Sequence, residues 1–276
     1  MHTIKSPRKT LTRISIVIPA YNEARHIGAC LDAVARQTVK PHQVIVVDNN
    51  STDATAAIAK TYPFVRLIRE SQQGPLFARN VGFNAARGDI IGRIDADTRL
   101  PADWIKEIIE FYAQPEHARS AFTGGVLCYN LRVPRAVSFI QEWIVFRLNW
   151  LFLGHYVLFG TNMALPTSLW HAVRDSTCTR TDIHEDLDLS IHLHHLGYEI
   201  TYDPAIKVGA KMRRVRSERR KLWANLQWWP NTLRAHGIRT WPGAWLGGLI
   251  LWLGSPVFSI MEFFARLVGK PPIKEA

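Results

Sequence analysis

The chain has 276 residues, enough to bury a full α/β core and to add an appendage or a second small domain. Hydrophobic residues make up 47% of it and charged residues 21%, which excludes both a disordered chain and a polytopic membrane protein. The net charge of +11 is local, because the basic segment Lys207–Lys221 holds eight cations and one acid. We expect this segment to face phosphates, acidic lipid or nucleic acid.

The cysteines and the amino terminus indicate a cellular compartment. Cys30, Cys128 and Cys178 lie far apart without paired spacing, which predicts small buried side chains in a reducing environment. Residues 1–13 are basic, but the apolar run Ile14–Ile18 that follows is too short for the core of a signal peptide. We therefore expect a cytosolic protein, or one bound to the cytosolic face of a membrane.

Over the first hundred residues, short β-branched runs alternate with longer helical patterns. The predicted strands are Ile14–Ile18, Gln43–Val47, Val65–Arg69 and Ile90–Ile94. Strands that are apolar on both faces and separated by helices indicate a parallel sheet with helices on either side. Ligands of such sheets bind just beyond the carboxyl ends of the strands, where Asp48 and Asp95 fall.

An aromatic stripe at helical spacing follows in the middle of the chain. It consists of Phe139, Trp143, Phe146 and Trp150. We favour packing of the stripe on the core, with contact to a membrane interface or a sugar ring as the alternative.

The segment Leu187–Leu193 alternates apolar and polar residues like a strand, yet Leu189, Leu193 and Leu196 also form a stripe on one helical face. Because Gly197 is a fitting helix stop and a second apolar run, Tyr198–Tyr202, follows it, we predict a helix and then a strand. The histidines nearby match no common zinc spacing and are assigned to a solvated helix face. They are His184, His192, His194 and His195.

The C-terminal third is rich in tryptophan and contains an uncharged stretch, Thr240–Met261. Its length is sufficient to cross a bilayer, but Pro242 and Pro256 would interrupt such a helix. We therefore predict amphipathic or hydrophobic helices that lie in a membrane interface, beside the cations of the basic segment.

Asp95-Ala96-Asp97 follows the fourth predicted strand. In an extended chain, side chains two residues apart point the same way, so both carboxylates can face one ion. Mg²⁺ and Mn²⁺ prefer oxygen ligands and commonly share them with substrate phosphates. A divalent cation at this position would neutralise the charge that develops on a diphosphate leaving group.

Four further segments stand around this pair in a defined order. They are Ile18–Glu23 (IPAYNE), Val46–Asp53 (VVDNNSTD), Gly74–Gly82 (GPLFARNVG) and Ala86–Asp89 (ARGD). In order and spacing they resemble the family 2 glycosyltransferases, which have the GT-A fold. The resemblance is close from Ile14 to Asp97 and looser as far as Tyr202. It implies an α/β, Rossmann-like nucleotide-sugar domain.

The resemblance also implies roles for the matching residues on the donor side. Pro19, Tyr21 and Glu23 would line the nucleoside pocket, Asp48 and Asn49 would lie at the base or ribose, and Arg79 would lie near the nucleotide or its diphosphate. Asp95 would bind the nucleotide and the metal region, and Asp97 would be the principal ligand of Mg²⁺ or Mn²⁺. Asn49-Asn50 replaces the aspartate–glycine pair often found there in the family.

On the acceptor side, Gly160–Ala164 and His184–Leu189 look like motifs of the same family. They imply acceptor-side roles for Asn162 and Glu185. Asp186 would be the general base of an inverting transfer, because an acceptor hydroxyl must lose its proton as it attacks the anomeric carbon. The competing interpretation is that Glu185 and Asp186 only cap a helix N-terminus.

The expected organisation has four parts. They are a basic N-terminal segment (1–13), a donor-binding half (14–120), an acceptor-binding half (121–210) and a basic, Trp-rich, membrane-associating region (211–276). No Gln-x-x-Arg-Trp motif follows the acceptor-side helix, and the chain lacks the multiple spans of a polysaccharide synthase. We therefore expect a single transfer per encounter.

The expected partners follow from these features. The donor would be a nucleotide-diphosphate sugar, UDP rather than GDP, and the acceptor a polyprenyl phosphate or glycolipid precursor. The protein would lie on anionic lipid at the cytosolic face of the plasma membrane. The alternatives are a catalytically inactive GT-A-fold membrane scaffold and a nucleic-acid-binding module. The second alternative leaves Asp95, Asp97 and Asp186 without a purpose, so we expect no nucleic-acid partner.

Overall fold

The computed structural model describes residues 12–129, 138–139, 142–211, 219–250, 252–253 and 267. The strands are β1 (Ile14–Ala20), β2 (Gln43–Asp48), β3 (Val65–Arg69), β4 (Ile90–Arg93), β5 (Ser120–Cys128), β6 (Met163–Pro166) and β7 (Glu199–Ala210). The α-helices are α1 (Ile27–Ala35), α2 (Thr55–Lys60), α3 (Pro75–Ala85), α4 (Trp104–Tyr112), α5 (Asn149–Leu153), α6 (Thr167–Val173), α7 (Glu185–His195) and α8 (Arg219–Ala235). Residues 241–250 are also helical.

The strands form one seven-stranded sheet in the order β3-β2-β1-β4-β6-β5-β7. The predicted parallel arrangement of β1 to β4 is confirmed, whereas β6 runs antiparallel to both of its neighbours. Strand direction depends on the path of the connecting chain, which residue periodicity does not encode. Because Ala20 pairs with Asp48 and Val17 with Arg93, the carboxyl ends of β1, β2 and β4 meet at one edge.

The core occupies both faces of the sheet. Alternate β1 residues point to opposite faces, so Ile16 packs with Trp104 of α4 while Val17 packs with Phe83 of α3. All four side chains are buried, as expected for strands that are apolar on both faces. Gly82 brings α3 close to the sheet, since a Cβ at this position would overlap the Val17 side chain. The predicted α/β layering is confirmed.

In the middle of the chain, the structure settles two patterns that the sequence left open. The segment Leu187–Leu193 is helical, as predicted, and lies within α7. The aromatic stripe divides, because Trp143–Leu148 forms a π-helix whose wider turn changes which side chains share a face. Phe146 is buried and stacks on Tyr202 with ring centroids 4.0 Å apart, whereas the other three stripe residues are half or more exposed. Core packing is therefore confirmed for Phe146 alone.

The C-terminal region is helical over residues 219–235 and 241–250. Within the described ranges, no helix is long and apolar enough to cross a membrane. Positions 254–261 of the uncharged stretch and positions 212–218 of the basic segment lie outside the described residues, as do positions 1–11. The four-part organisation stays a prediction; a single sheet runs through both the donor-binding and the acceptor-binding halves.

Candidate functional site

A cavity of about 600 Å³ opens at the carboxyl-end edge of the sheet. Its walls come from the ends of β1 and β4, from the start of α7 and from α8. The predicted site residues that it brings together are Pro19, Glu23, Asp95, Asp97, Glu185 and Asp186. Residues separated by about 165 positions in the sequence therefore line one cavity, which is the arrangement expected of a substrate site.

Asp95 is held by groups from three segments. Thr161 Oγ1 donates a hydrogen bond to Asp95 Oδ2 at 2.6 Å, and Arg93 Nη2 lies 3.2 Å from Oδ1. The backbone N–H of Asp95 donates to Thr98 Oγ1 at 3.1 Å. These contacts orient the Asp95 carboxylate at the cavity wall.

Asp97 completes the acidic pair on the same wall. Its backbone carbonyl accepts a hydrogen bond from the Tyr129 hydroxyl at 3.0 Å, which fixes the backbone just after β4. The residue is 7% exposed and lines the cavity beside Asp95. Each carboxylate oxygen has two lone pairs, so the oxygens of Asp95 keep acceptor capacity beyond the contacts above. The donor set is thus of the oxygen type that Mg²⁺ and Mn²⁺ take, and the residues fit such an ion.

Arg93, the last residue of β4, links Asp95 to the two carboxylates at the start of α7 and was not predicted from the sequence. Its guanidinium lies 3.2 Å from Asp95 Oδ1, 3.3 Å from Glu185 Oε1 and 2.6 Å from Asp186 Oδ1. The side chain is only 5% exposed. A charge within the otherwise apolar strand is the signal that could have found it, because burying a lone cation is costly. One buried cation therefore holds three carboxylates that would otherwise repel one another.

Asp186 lies in the first turn of α7 and is fixed at both oxygens. Oδ1 accepts from Arg93 Nη1 at 2.6 Å, and Oδ2 accepts from the backbone N–H of Gly160 at 2.8 Å. Burial raises the pKa of Asp186 to about 6, although the Arg93 guanidinium opposes this rise. A carboxylate with a pKa near 6 is largely ionised at neutral pH and can accept a proton there.

Gly160 is required by this close packing. A Cβ at this position would overlap the Arg93 guanidinium and approach Asp186 Oδ2. The glycine of the Gly160–Ala164 motif therefore lets the backbone N–H reach the Asp186 carboxylate.

Asn162 is fully buried and its side chain is occupied within the protein. Nδ2 donates to the carbonyls of Gly125 and Ile206, and Oδ1 accepts from Trp104 Nε1 at 2.9 Å. Asn162 does not line the cavity. It joins α4 to β5 and β7, and its predicted acceptor-side role stays a prediction.

Four predicted donor residues lie outside the cavity lining. Tyr21 is 49% exposed, and buried Asp48 accepts from the backbone N–H of Ser51. Asn49 fastens the loop after β3, where its side chain binds backbone groups of Glu70, Gln72 and Gly74.

Arg79, the fourth of them, is fully buried in α3. It donates to the backbone carbonyl of Glu185 at 2.5 Å and lies over the Trp170 ring. Its position supports the start of α7, where Glu185 and Asp186 enter the cavity. Its predicted contact with the donor nucleotide stays a prediction.

The basic segment brings the cation Lys211 to the cavity. Lys211 lines the cavity, with Nζ 3.1 Å from His26 Nε2, whereas Lys207 pairs with Glu142 at 3.4 Å. The assignment of the α7 histidines to a solvated face holds for His194 and His195, which are exposed. It is wrong for His192, whose Nε2 is buried and faces Asp188 at 3.4 Å.

Two solved structures have a fold similar to that of this chain. A mannosyltransferase, PcManGT from Pyrobaculum calidifontis, solved with GDP-Man and Mn²⁺, superposes with a TM-score of 0.63 at 21% identity, covering 94% of this chain and 75% of the other. TarS of S. aureus, solved with UDP-GlcNAc, gives a TM-score of 0.57 at 19% identity, covering 88% and 81%. At these identities the likeness shows the GT-A type fold.

Curated relatives match part of their own length. Glycosyltransferase AglE from Haloferax volcanii is 38% identical over 104 residues, which are 35% of this chain and 34% of the relative. The probable glycosyltransferase YdaM from Bacillus subtilis is 26% identical over 221 residues, 71% of this chain and 50% of the relative. The chain therefore spans about a third to a half of the length of these two relatives.

Family models cover most of the chain. The model described as glycosyl transferase family 2 matches residues 15–155, and the model described as glycosyl transferase family group 2 matches residues 90–269. The first match contains Asp95 and Asp97, and the second extends over Asp186 and α8. Because the first match alone spans half of the sequence and the fold agrees with it, the chain belongs to glycosyl transferase family 2.

Proposed function

We propose that this glycosyltransferase is a metal-dependent, inverting hexosyltransferase that acts on an acceptor held at a membrane surface. One observation carries the proposal: Asp95 and Asp97 line the same cavity as Asp186, and Arg93 connects the two sides. A diphosphate-binding pair and a base within one cavity are the parts that an inverting transfer needs. A catalytically inactive scaffold would have no need of Asp95, Asp97 and Asp186 around one cavity.

On the donor side, the proposed ligands of Mg²⁺ or Mn²⁺ are Asp97 and Asp95. The ion, when bound, would neutralise charge that develops on the departing diphosphate. PcManGT was solved with GDP-Man and Mn²⁺, and TarS with UDP-GlcNAc, which supports a nucleotide-sugar donor for the common fold. We propose UDP as the nucleotide, with GDP as the alternative.

On the acceptor side, Asp186 would remove the proton from a hydroxyl acceptor, such as that of a glycolipid precursor, as the acceptor oxygen attacks the anomeric carbon. A polyprenyl phosphate is already ionised at neutral pH and would attack through its phosphate oxygen without losing a proton. The new glycosidic bond forms while the bond to the diphosphate breaks on the opposite face of the sugar, which inverts the anomeric configuration. Arg93 and the Gly160 N–H hold the Asp186 carboxylate in place before the acceptor arrives. Such prior orientation lowers the cost of reaching the transition state.

Donor binding can be tested by thermal unfolding with UDP-, GDP- and dTDP-sugars, each with and without Mn²⁺. We expect one of these nucleotide sugars to raise the Tm only when Mn²⁺ is present, because the ion held by Asp95 and Asp97 would bind its diphosphate. A ligand at 100 times its Kd stabilises the native state by about 2.7 kcal/mol. Asp97→Ala should lose the Mn²⁺-dependent part of the shift, whereas Asp175→Ala, at an exposed position, should keep it. An equal shift without Mn²⁺, or in Asp97→Ala, would contradict metal dependence.

The proposed acceptor is a lipid, either polyprenyl phosphate or a glycolipid precursor. Exposed apolar side chains near the cavity-forming helices support this: Trp143, Trp150, Trp245, Leu246 and Ile250. Lys211 brings a cation of the basic segment to the cavity itself. Clustered cations beside exposed tryptophans are typical of proteins that bind anionic membranes.

The acceptor class can be tested by comparing sugar transfer to polyprenyl phosphate, to a glycolipid precursor and to soluble oligosaccharides. We expect at least tenfold higher kcat/KM with a lipid acceptor in anionic vesicles, about 1.4 kcal/mol. Trp150→Ser should reduce transfer to the vesicle-bound acceptor but not hydrolysis of the donor. A preference for soluble acceptors would overturn the lipid assignment.

A further inference from the structure

A second group of metal-ligating side chains lies outside the cavity. It consists of Cys178, Asp188, His192 and His236, and we name it the α7–α8 cluster. Cys178 comes from the loop after α6, Asp188 and His192 lie one turn apart on α7, and His236 directly follows α8. The four potential ligand atoms all lie within 4.8 Å of one another. None of these residues lines the cavity.

The distances within the α7–α8 cluster are close to those around a tetrahedral ion. His236 Nε2 lies 2.9 Å from Asp188 Oδ1, His192 Nε2 lies 3.4 Å from the same oxygen, and Cys178 Sγ lies 3.9 Å from His236 Nε2. Zinc bonds of about 2.0–2.3 Å in tetrahedral geometry place ligand atoms roughly 3.3–3.8 Å apart. Shifts of less than about 1 Å in side-chain position would bring the four atoms to such an ion.

Burial and hydrogen bonding favour an ion over a solvated polar cluster. Asp188 is fully buried and the His236 side chain is 6% exposed; among the described residues, the buried His192 Nε2 makes no well-aligned hydrogen bond, although Asp188 Oδ1 lies 3.4 Å away. The backbone N–H of Cys178 donates to Asp188 Oδ2 at 3.1 Å, which orients the carboxylate and turns Oδ1 toward both imidazoles. A hydrogen bond to the second oxygen of a ligating carboxylate is the usual support of a metal site.

A nucleophilic triad does not explain the arrangement. In such a triad, one imidazole nitrogen faces the acid and the other faces the nucleophile. Here the same nitrogen, His236 Nε2, faces both Asp188 Oδ1 and Cys178 Sγ. Several donor atoms aimed at one point are the geometry of ligands around an ion.

We propose that Cys178, Asp188, His192 and His236 bind one Zn²⁺ ion. One sulfur, two imidazole nitrogens and one carboxylate oxygen form a ligand set that suits Zn²⁺ and is unsuited to Mg²⁺ or Mn²⁺, which prefer oxygen. Four protein ligands leave no position for substrate, so the ion is structural. It fastens the end of α8 to α7, the helix that carries Asp186, and thereby positions the acceptor-side wall.

The test uses the full chain, purified without a histidine tag from medium containing zinc. Elemental analysis should find about one zinc per chain in wild type and less than about a tenth of that in Cys178→Ser and in His236→Ala. His194→Ala, on an exposed α7 histidine outside the cluster, should keep the wild-type content. Asp97→Ala should also keep it, which separates this site from the proposed Mn²⁺ site.

Cobalt binding to the wild-type protein tests the site without requiring any variant to fold. Zinc-stripped wild type titrated with Co²⁺ should show tetrahedral d–d absorption and a thiolate-to-cobalt charge-transfer band, and should regain a Tm at least roughly 5 °C above that of the stripped protein. Absence of the charge-transfer band in wild type would overturn the proposal. So would zinc that stays bound in both Cys178→Ser and His236→Ala, because that zinc would lie elsewhere.

Discussion

Replacing Asp186 with asparagine is expected to lower kcat for a hydroxyl acceptor by about 10²–10⁴-fold, the usual contribution of a positioned general base. The amide has nearly the shape of the carboxylate but cannot accept the acceptor's proton at neutral pH. Donor affinity should stay within about twofold of wild type, because Asp186 is proposed to act on the acceptor and not on the donor. A loss confined to kcat would mark an interaction made in the transition state. Steady-state transfer kinetics and donor titration measure the two quantities separately.

The control for this variant is Asp182→Asn, which changes an exposed carboxylate paired with Arg180 and outside the cavity. Its kcat should match wild type. In wild type, kcat/KM should rise with pH through about 6, because burial raises the pKa of Asp186 to about 6 and only the ionised form is a base. This acidic limb should disappear in Asp186→Asn. An unchanged limb, or a fall in kcat of less than tenfold, would remove Asp186 from the role of base.

Replacing Arg93 with methionine is expected to reduce the free energy of unfolding by about 3–5 kcal/mol, the usual cost of removing one partner from a buried ion pair. Methionine keeps much of the side-chain length but leaves Asp95, Glu185 and Asp186 as neighbouring carboxylates without their cation. Transfer activity should fall as well, because the donor and acceptor sides lose their connection. Urea unfolding at neutral pH measures the change in stability.

Arg13→Met is the matched control, since Arg13 pairs with Asp89 at the surface, with side chains about half exposed. Exposed pairs contribute little to stability, so this variant should unfold close to wild type. The loss in Arg93→Met should shrink as the pH is lowered to about 5. Burial raises the pKa of Asp186 and the Arg93 guanidinium opposes this rise, so the pKa of Asp186 should be higher still without the cation, and the charge penalty is lost as the pH falls through it. A loss that is equal at both pH values would show that packing, and not charge, makes Arg93 important.

The α7–α8 cluster and the cavity are linked by one helix. Asp186 and Asp188 lie two residues apart on α7, one in the cavity and one in the proposed zinc site. Thr232 of α8 accepts a hydrogen bond from the backbone N–H of His184, just before α7 begins. The position of Asp186, the proposed base, therefore depends on contacts between α7 and α8.

The sequence by itself determined the first four strands, α7 and the edge at which the site lies. Short apolar runs are sufficient to predict β1 to β4, whereas the periodicity of α7 also fits a strand and was decided by the helix stop at Gly197 and the apolar run after it. Parallel strands then bring their carboxyl ends together, so the positions of Pro19 and Asp95 at one edge follow from order alone. The motifs around Asp95 and Asp97 were sufficient to predict the family.

The tertiary structure alone decided which distant side chains meet. Arg93 contacts residues more than 90 positions away, and the α7–α8 cluster joins Cys178 to His236 across 58 positions, so neither has a spacing that a local pattern can reveal. The direction of β6 and the burial of Phe146 depend in the same way on the path of the chain between elements. The physical reason is that the role of a side chain depends on its neighbours in space. In the folded chain those neighbours can come from any position of the sequence, so a local pattern does not reveal them.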